Sequence, residues 1–137
     1  MNYYGSFIIV IFLICAYGNY RCNHPEYKDI LETELGIFNL DGWSLSHFTF
    51  FTYIGYYFPD TMKTSIGLGI AWELFEHYYG VNRPGWLGGY GDCNNLQSDR
   101  NKDGNWWYGK YSDIILNYLG FVSGVYLKTN KLSFNIN

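Results

Sequence analysis

The sequence predicts an all-α integral membrane protein, a bundle of four transmembrane helices with one short interfacial helix. Three observations carry this expectation. Four apolar segments of 15 to 17 residues stand out in the 137-residue chain: Tyr3–Tyr17, Trp43–Phe58, Thr64–Gly80 and Asp113–Leu127. Charged residues are 15% of the chain, against about 25% in an ordinary soluble domain. Aromatic residues reach 22%, with 15 Tyr and 5 Trp, the types that favour membrane–water interfaces. A mean hydropathy of -0.15 pulls the other way. Polar residues gathered in Asn19–Asp41 and Asn82–Ser112 account for it, together with Tyr, which scores as polar although it suits interfaces.

As helices the four segments span roughly 22–26 Å each, short of a hydrocarbon core of about 30 Å. Flanking Tyr and Trp extend them into the interface. The alternative is a set of buried helices in a soluble all-α domain. The second and fourth segments argue against it, because neither shows a charged face. The expected layout is residues 1–18 as the first helix, 19–42 as an interfacial segment and 43–128 as a three-helix membrane core. Within that core, 82–112 is a long polar loop, and 129–137 is a polar tail.

The first segment reads either as a retained helix or as a signal peptide ending at the small-x-small run Ala16-Tyr17-Gly18, which would leave three transmembrane helices. A signal peptide carries Lys or Arg before its apolar core, and none is present, so the retained helix is preferred. A lipoprotein signal does not fit, since bulky Ile14 precedes Cys15. Next, His24-Pro25-Glu26 predicts a helix start, with Asn23 or His24 as cap and Pro25 in the first turn. Tyr27, Ile30, Leu31, Leu35 and Phe38 would form its apolar stripe, and Glu26, Asp29 and Glu32 its polar face. A short helix on the membrane surface follows, too acidic to favour anionic headgroups.

Pro59-Asp60 ends the second segment, and the short turn makes the second and third helices an antiparallel hairpin. The loop 82–112 is Gly-rich and long enough to suggest function or disorder. Within it, Asp99–Asn105 resembles half of a calcium loop, but Lys110 occupies the position where a bidentate Glu is needed. A polar turn is the better reading. Trp106, Trp107 and Tyr108 are expected to anchor the loop at the interface.

Several functions are excluded. A net charge of -3 offers no basic surface for nucleic acid. There is no nucleophile elbow, phosphate-binding loop, His-Glu-x-x-His or Cys-x-x-Cys. Cys15, Cys22 and Cys93 have no metal-ligand spacing. Cys22 and Cys93 could pair only in an oxidising compartment.

The acids inside the third segment matter most. A carboxylate near the bilayer centre costs roughly 3 kcal/mol unless it is paired, protonated or bound. If all segments span, Asp41 and His47, then Glu73, Glu76 and His77, then Asp113 and Asn117 meet at one membrane face. Their spacing agrees: Asp113, Asn117, Gly120 and Gly124 form one helical stripe, and Gly69, Glu73, Glu76 and Gly80 repeat it. Gly120-x-x-x-Gly124 and Gly67-x-x-x-Ala71 are small-residue patterns that permit close helix approach.

Each of these residues has two readings. Glu73 and Glu76 are metal ligands, acid–base groups or a proton relay, or else interfacial acids. His47, amid Ser44, Ser46 and Thr49, is a metal ligand or base, or a packing residue. His77 pairs with Glu73 or, preferably, complements the helix dipole. Asp41 and Asp113 serve function, helix capping or both. Asn117 must bond to something, because a buried unpaired amide is costly. A divalent metal held by His47, Glu73 and Glu76 is compatible with these residue types.

Asp41 with His47, the run Trp72-Glu73-Leu74-Phe75-Glu76, and Asp113 followed by Asn117, Gly120 and Gly124 resemble the VanZ-like membrane proteins, more closely their YjdF-type relatives. The resemblance covers Asp41–Leu127. It implies a small multi-helix integral membrane protein whose biochemical activity is not settled. The chain departs from the family pattern in the loop before the last helix, where Tyr108–Asp113 is only a loose match.

Three function classes remain open. One is a membrane enzyme acting on a lipid or lipid-linked substrate, with Asp41, His47, Glu73, Glu76, Asp113 and Asn117 as its site. The others are an ion- or proton-coupled binder or transporter, and a structural assembly protein. By the positive-inside rule the six cations Arg21, Lys28, Arg83, Arg100, Lys102 and Lys110, against Lys63, Lys128 and Lys131, favour a cytoplasmic site. A cleaved first segment reverses this.

Overall fold

The computed structural model describes residues 2–24, 29–36, 40–82 and 107–130, apart from the Cys22 side chain. Among them the protein is all-helical. It comprises α1 (Tyr3–Asn23), α2 (Gly42–Tyr57), α3 (Met62–Asn82) and α4 (Tyr111–Thr129), with 3₁₀ turns at Ile30–Glu32 and Pro59–Thr61. The one extended pairing described is an isolated bridge between Glu34 and Asp41. The Cys22–Cys93 pairing, the Asp99–Asn105 turn and Trp106 lie outside the described residues.

Three helices outrun their apolar segments. α1 and α3 have 21 residues each and α4 has 19. Backbone hydrogen bonding carries a helix past its last apolar residue, so hydropathy underestimates length. These helices reach roughly 29–32 Å. Length alone does not make a span, however. Among the described residues only α1, over Tyr3–Arg21, is both long and apolar enough to cross a membrane. α2 is short at 16 residues. α3 is interrupted by Glu73, Glu76 and His77, and α4 by Asp113 and Asn117.

The chain divides into two compact units, Met1–Glu32 with Glu76–Tyr108, and Thr33–Phe75 with Gly109–Asn137. In the first, Asn2 caps α1 by accepting from the Gly5 N–H at 2.7 Å. α1 then runs through Asn23, with His24 as its C-cap. Of the amphipathic helix expected beyond it, residues 25–28 and 37–39 lie outside the described residues, and the described part is a 3₁₀ turn with inverted polarity. Ile30 is 80% exposed, while Asp29 and Glu32 are buried. The cause is a partner on another element: Asp29 Oδ1 accepts from the Tyr17 hydroxyl at 2.8 Å and the Leu31 N–H at 2.9 Å. Arg21, expected as a loop cation, is buried in the last turn of α1. Trp107, expected at an interface, is buried edge-on against Tyr79, with ring centroids 5.3 Å apart.

In the second unit α2 and α4 pack along their length, around Phe51, Ile54, Phe121, Val122 and Val125. Glycine makes the approach possible. A Cβ at Gly120 would strike the carbonyl of Phe48, one at Gly124 that of Thr52, and one at Gly55 that of Phe121. Backbone lies on backbone, as the Gly120-x-x-x-Gly124 pattern predicts. Gly67-x-x-x-Ala71 does not behave this way. Both residues are exposed, and a Cβ at Gly67 would meet nothing. The inward face of α3 in this unit carries Ser65, Gly69 and Glu73 instead. The α2–α3 connection is tight, with Thr61 Oγ1 donating to the Phe58 carbonyl at 2.7 Å.

Candidate functional site

Five of the six expected site residues, Asp41, His47, Glu73, Asp113 and Asn117, belong to the second unit. Asp41 is the N-cap of α2, and its Oδ1 accepts from the Ser44 N–H at 2.9 Å. This fixes the first turn of α2 and places His47 one further turn in, facing α4. His47 Nδ1 is 2.9 Å from Asn117 Oδ1. With the Asn117 oxygen facing the ring, the amide accepts and Nδ1 carries the proton. His47 Nε2 is thereby directed at Glu73 Oε1, 3.5 Å away. The surrounding hydroxyls do other work. Ser46 and Thr49 bond to the carbonyls of Trp43 and Leu45, and Ser44 donates across to Asp113 Oδ1 at 2.6 Å.

Glu73 is 4% exposed. Its Oε2 accepts the Lys110 backbone N–H at 2.8 Å, while Oε1 has no hydrogen-bond partner. Glycine at position 69 clears the space beside it, since a Cβ there would lie 2.7 Å from Asn117 Nδ2. Asn117 Oδ1 bonds to α2 through His47, while Asn117 Nδ2 is buried with no hydrogen-bond partner.

Asp113 is not the cap of α4. That position is Lys110, whose carbonyl accepts the Asp113 N–H at 3.2 Å. Asp113 sits inside the first turn, where a carboxylate is favoured by the helix dipole. Its Oδ1 is held by Ser44 and, at 3.3 Å, by Ser112.

Lys110 is the residue that sequence reasoning missed. Its ammonium bonds Asp41 Oδ2, its N–H bonds Glu73 and its carbonyl bonds Asp113. One residue therefore touches three acids from three helices. The available signal was charge: three acids converging in an apolar setting require a cation, and Lys110 stands three residues before one of them. Burial pushes the Asp41 carboxyl up. The Lys110 ammonium and the Ser44 N–H outweigh this and hold it below the usual carboxylate range.

The sixth expected site residue, Glu76, and its neighbour His77 fall outside the second unit. Both belong to the first unit, with Glu76 half-buried and His77 exposed. Glu76 does share the helical face of Glu73, three positions away.

The cluster is a half-buried imidazole facing a carboxylate oxygen, backed by two more acids and one ammonium. Such a set can take up, hold and pass a proton, or ligate a cation. No protein-family model matches the chain, and neither a curated protein nor a solved structure matches it significantly.

Proposed function

We propose that this chain is an integral membrane protein of VanZ-like type whose α2–α3–α4 cluster performs acid–base chemistry on a lipid or lipid-linked substrate at one membrane face. The observation that carries the chemistry is the His47–Glu73 pair. A carboxylate oxygen with no hydrogen-bond partner, 3.5 Å from an imidazole nitrogen, is a costly arrangement that a merely structural network would replace with a donor. His47 Nε2 and Glu73 Oε1 are the reactive pair of atoms, and Asn117 sets the tautomer of His47.

The membrane assignment is supported by large apolar side chains standing exposed on all four helices. They include Ile8 and Phe12, Leu45, Leu68 and Leu74, and Ile115 and Leu119. Exposed apolar surface of this extent marks contact with lipid or protein.

A structural role is the second reading, favoured by the Ser44–Asp113 and His47–Asn117 bonds that already tie α2 to α4. One experiment separates the two. Wild type, His47→Ala and Glu73→Gln are expressed, membranes are washed in alkaline carbonate, and lipids and lipid-linked intermediates are profiled. The expected result is carbonate-resistant protein in all three and a changed profile with wild type alone. Extraction by carbonate defeats the membrane assignment. Variants that fail to accumulate, or a wild type that alters no lipid, favour the structural role.

A further inference from the structure

We infer that His47 Nε2 and Glu73 Oε1 are two ligands of a divalent transition-metal site of the zinc class. The inference rests on reading this cluster as a chemical site and is independent of the lipid substrate. Four features of the second unit converge on it.

The first is separation. Nitrogen and oxygen ligands at about 2.0–2.2 Å from a tetrahedral ion stand roughly 3.3–3.6 Å from each other. The observed distance is 3.5 Å, too long for a good hydrogen bond and right for one edge of that tetrahedron.

The second is orientation. A ligating histidine donates its other ring N–H to a carbonyl or carboxylate oxygen, which fixes the tautomer and raises the basicity of the ligand nitrogen. The His47 Nδ1–Asn117 Oδ1 bond at 2.9 Å meets that description. The Lys110 N–H on Glu73 Oε2 does the same for the carboxylate, occupying one oxygen and leaving the other directed at His47.

The third is charge. Asp41, Glu73 and Asp113 are three buried carboxylates, and the Lys110 ammonium offsets one of them. A bound cation would offset carboxylates that Lys110 does not, in a setting where uncompensated charge is expensive.

The fourth is the unpartnered Glu73 Oε1 itself, on a side chain 4% exposed and aimed at the ligand nitrogen. Imidazole with carboxylate selects zinc-like ions over magnesium or calcium, which prefer oxygen alone. The remaining coordination positions fall to water or to an oxygen of the substrate, where the ion would act as a Lewis acid.

The test uses the full chain in detergent, titrated with Co²⁺ and then with Zn²⁺. The expected result is saturable one-to-one binding with visible d–d absorption, displaced by Zn²⁺. It is lost in His47→Asn and Glu73→Gln and retained in Asp60→Asn, an exposed acid in the α2–α3 turn. Circular dichroism verifies that each variant is folded. Should a variant unfold, the ¹⁵N resonance of His47 Nε2 in wild type replaces it and must shift on Zn²⁺ addition. No saturable Co²⁺ signal in folded wild type, unchanged binding in both folded variants, or an unmoved His47 resonance overturns the site. Metal binding without a lipid change removes the lipid reading and keeps the site, and the reverse result does the opposite.

Discussion

The Lys110 ammonium is bonded to the fully buried carboxylate of Asp41, which caps α2 from below while Lys110 itself caps α4. One ion pair therefore ties together the starts of two helices. Lys110→Met leaves Asp41 buried without its cation. Removing one partner of a buried pair costs about 3–5 kcal/mol, and the low end applies because Lys110 is partly exposed. Unfolding in detergent should show that loss, and Asp41→Asn/Lys110→Met together should recover much of it.

The same pair sets a pH dependence. The folded-state pKa of Asp41 lies below its unfolded value. Its contribution is therefore fully present above the ordinary carboxylate range and is lost as pH falls through the lowered value. The thermal midpoint of wild type should drop with acidification in that window, and Asp41→Asn should flatten this part of the curve.

Two glycines in helix interiors should respond oppositely to alanine. Gly124→Ala drives a methyl into the Thr52 backbone, which cannot yield as a flexible side chain would. A loss of about 1–3 kcal/mol is expected. Gly67→Ala meets nothing and should stabilise by about 0.5–1 kcal/mol through helix propensity. Paired denaturation curves decide both.

Asn117→Ala removes the group that orients His47. Changes behind a metal ligand lower affinity about 10–100-fold, so the Co²⁺ titration should weaken by that factor while the helical signal stays. Equal affinity would mean that Asn117 only packs.

Trp107→Ala empties the space against Tyr79 in the first unit. Large-to-small changes of this kind cost about 3–5 kcal/mol. Near-ultraviolet circular dichroism should lose intensity and the thermal transition should fall, whereas Trp107→Phe should be milder.

The four helices were legible because continuous apolar runs and the Pro59 turn are local signals. Asp41 as cap and the Asp113–Gly124 stripe were legible for the same reason, since each depends on spacing within one helix. What escaped depended on partners distant in the chain. The acids Asp29 and Glu32 read as a solvent face because the hydroxyl of Tyr17, which buries Asp29, lies on α1. Gly67-x-x-x-Ala71 has the right spacing and the wrong face, which no motif specifies. Lys110 sits in polar sequence without periodicity, so only the charge of its neighbours pointed to it. Composition led to the expectation that α2, α3 and α4 cross a membrane, whereas among the described residues only α1 is long and apolar enough; the polar groups that build the site are the same ones that lower the hydropathy of α3 and α4.

The glycine seam between α2 and α4 has a mechanical consequence. With carbonyls resting directly on glycine backbone, nothing compressible separates the two helices, so they behave as one stiff beam. A movement that tilts one helix must tilt the other with it. Such a tilt carries His47 and Asn117 together and leaves the distance between them unchanged. The imidazole thereby keeps its amide partner through any rigid-body motion of the pair.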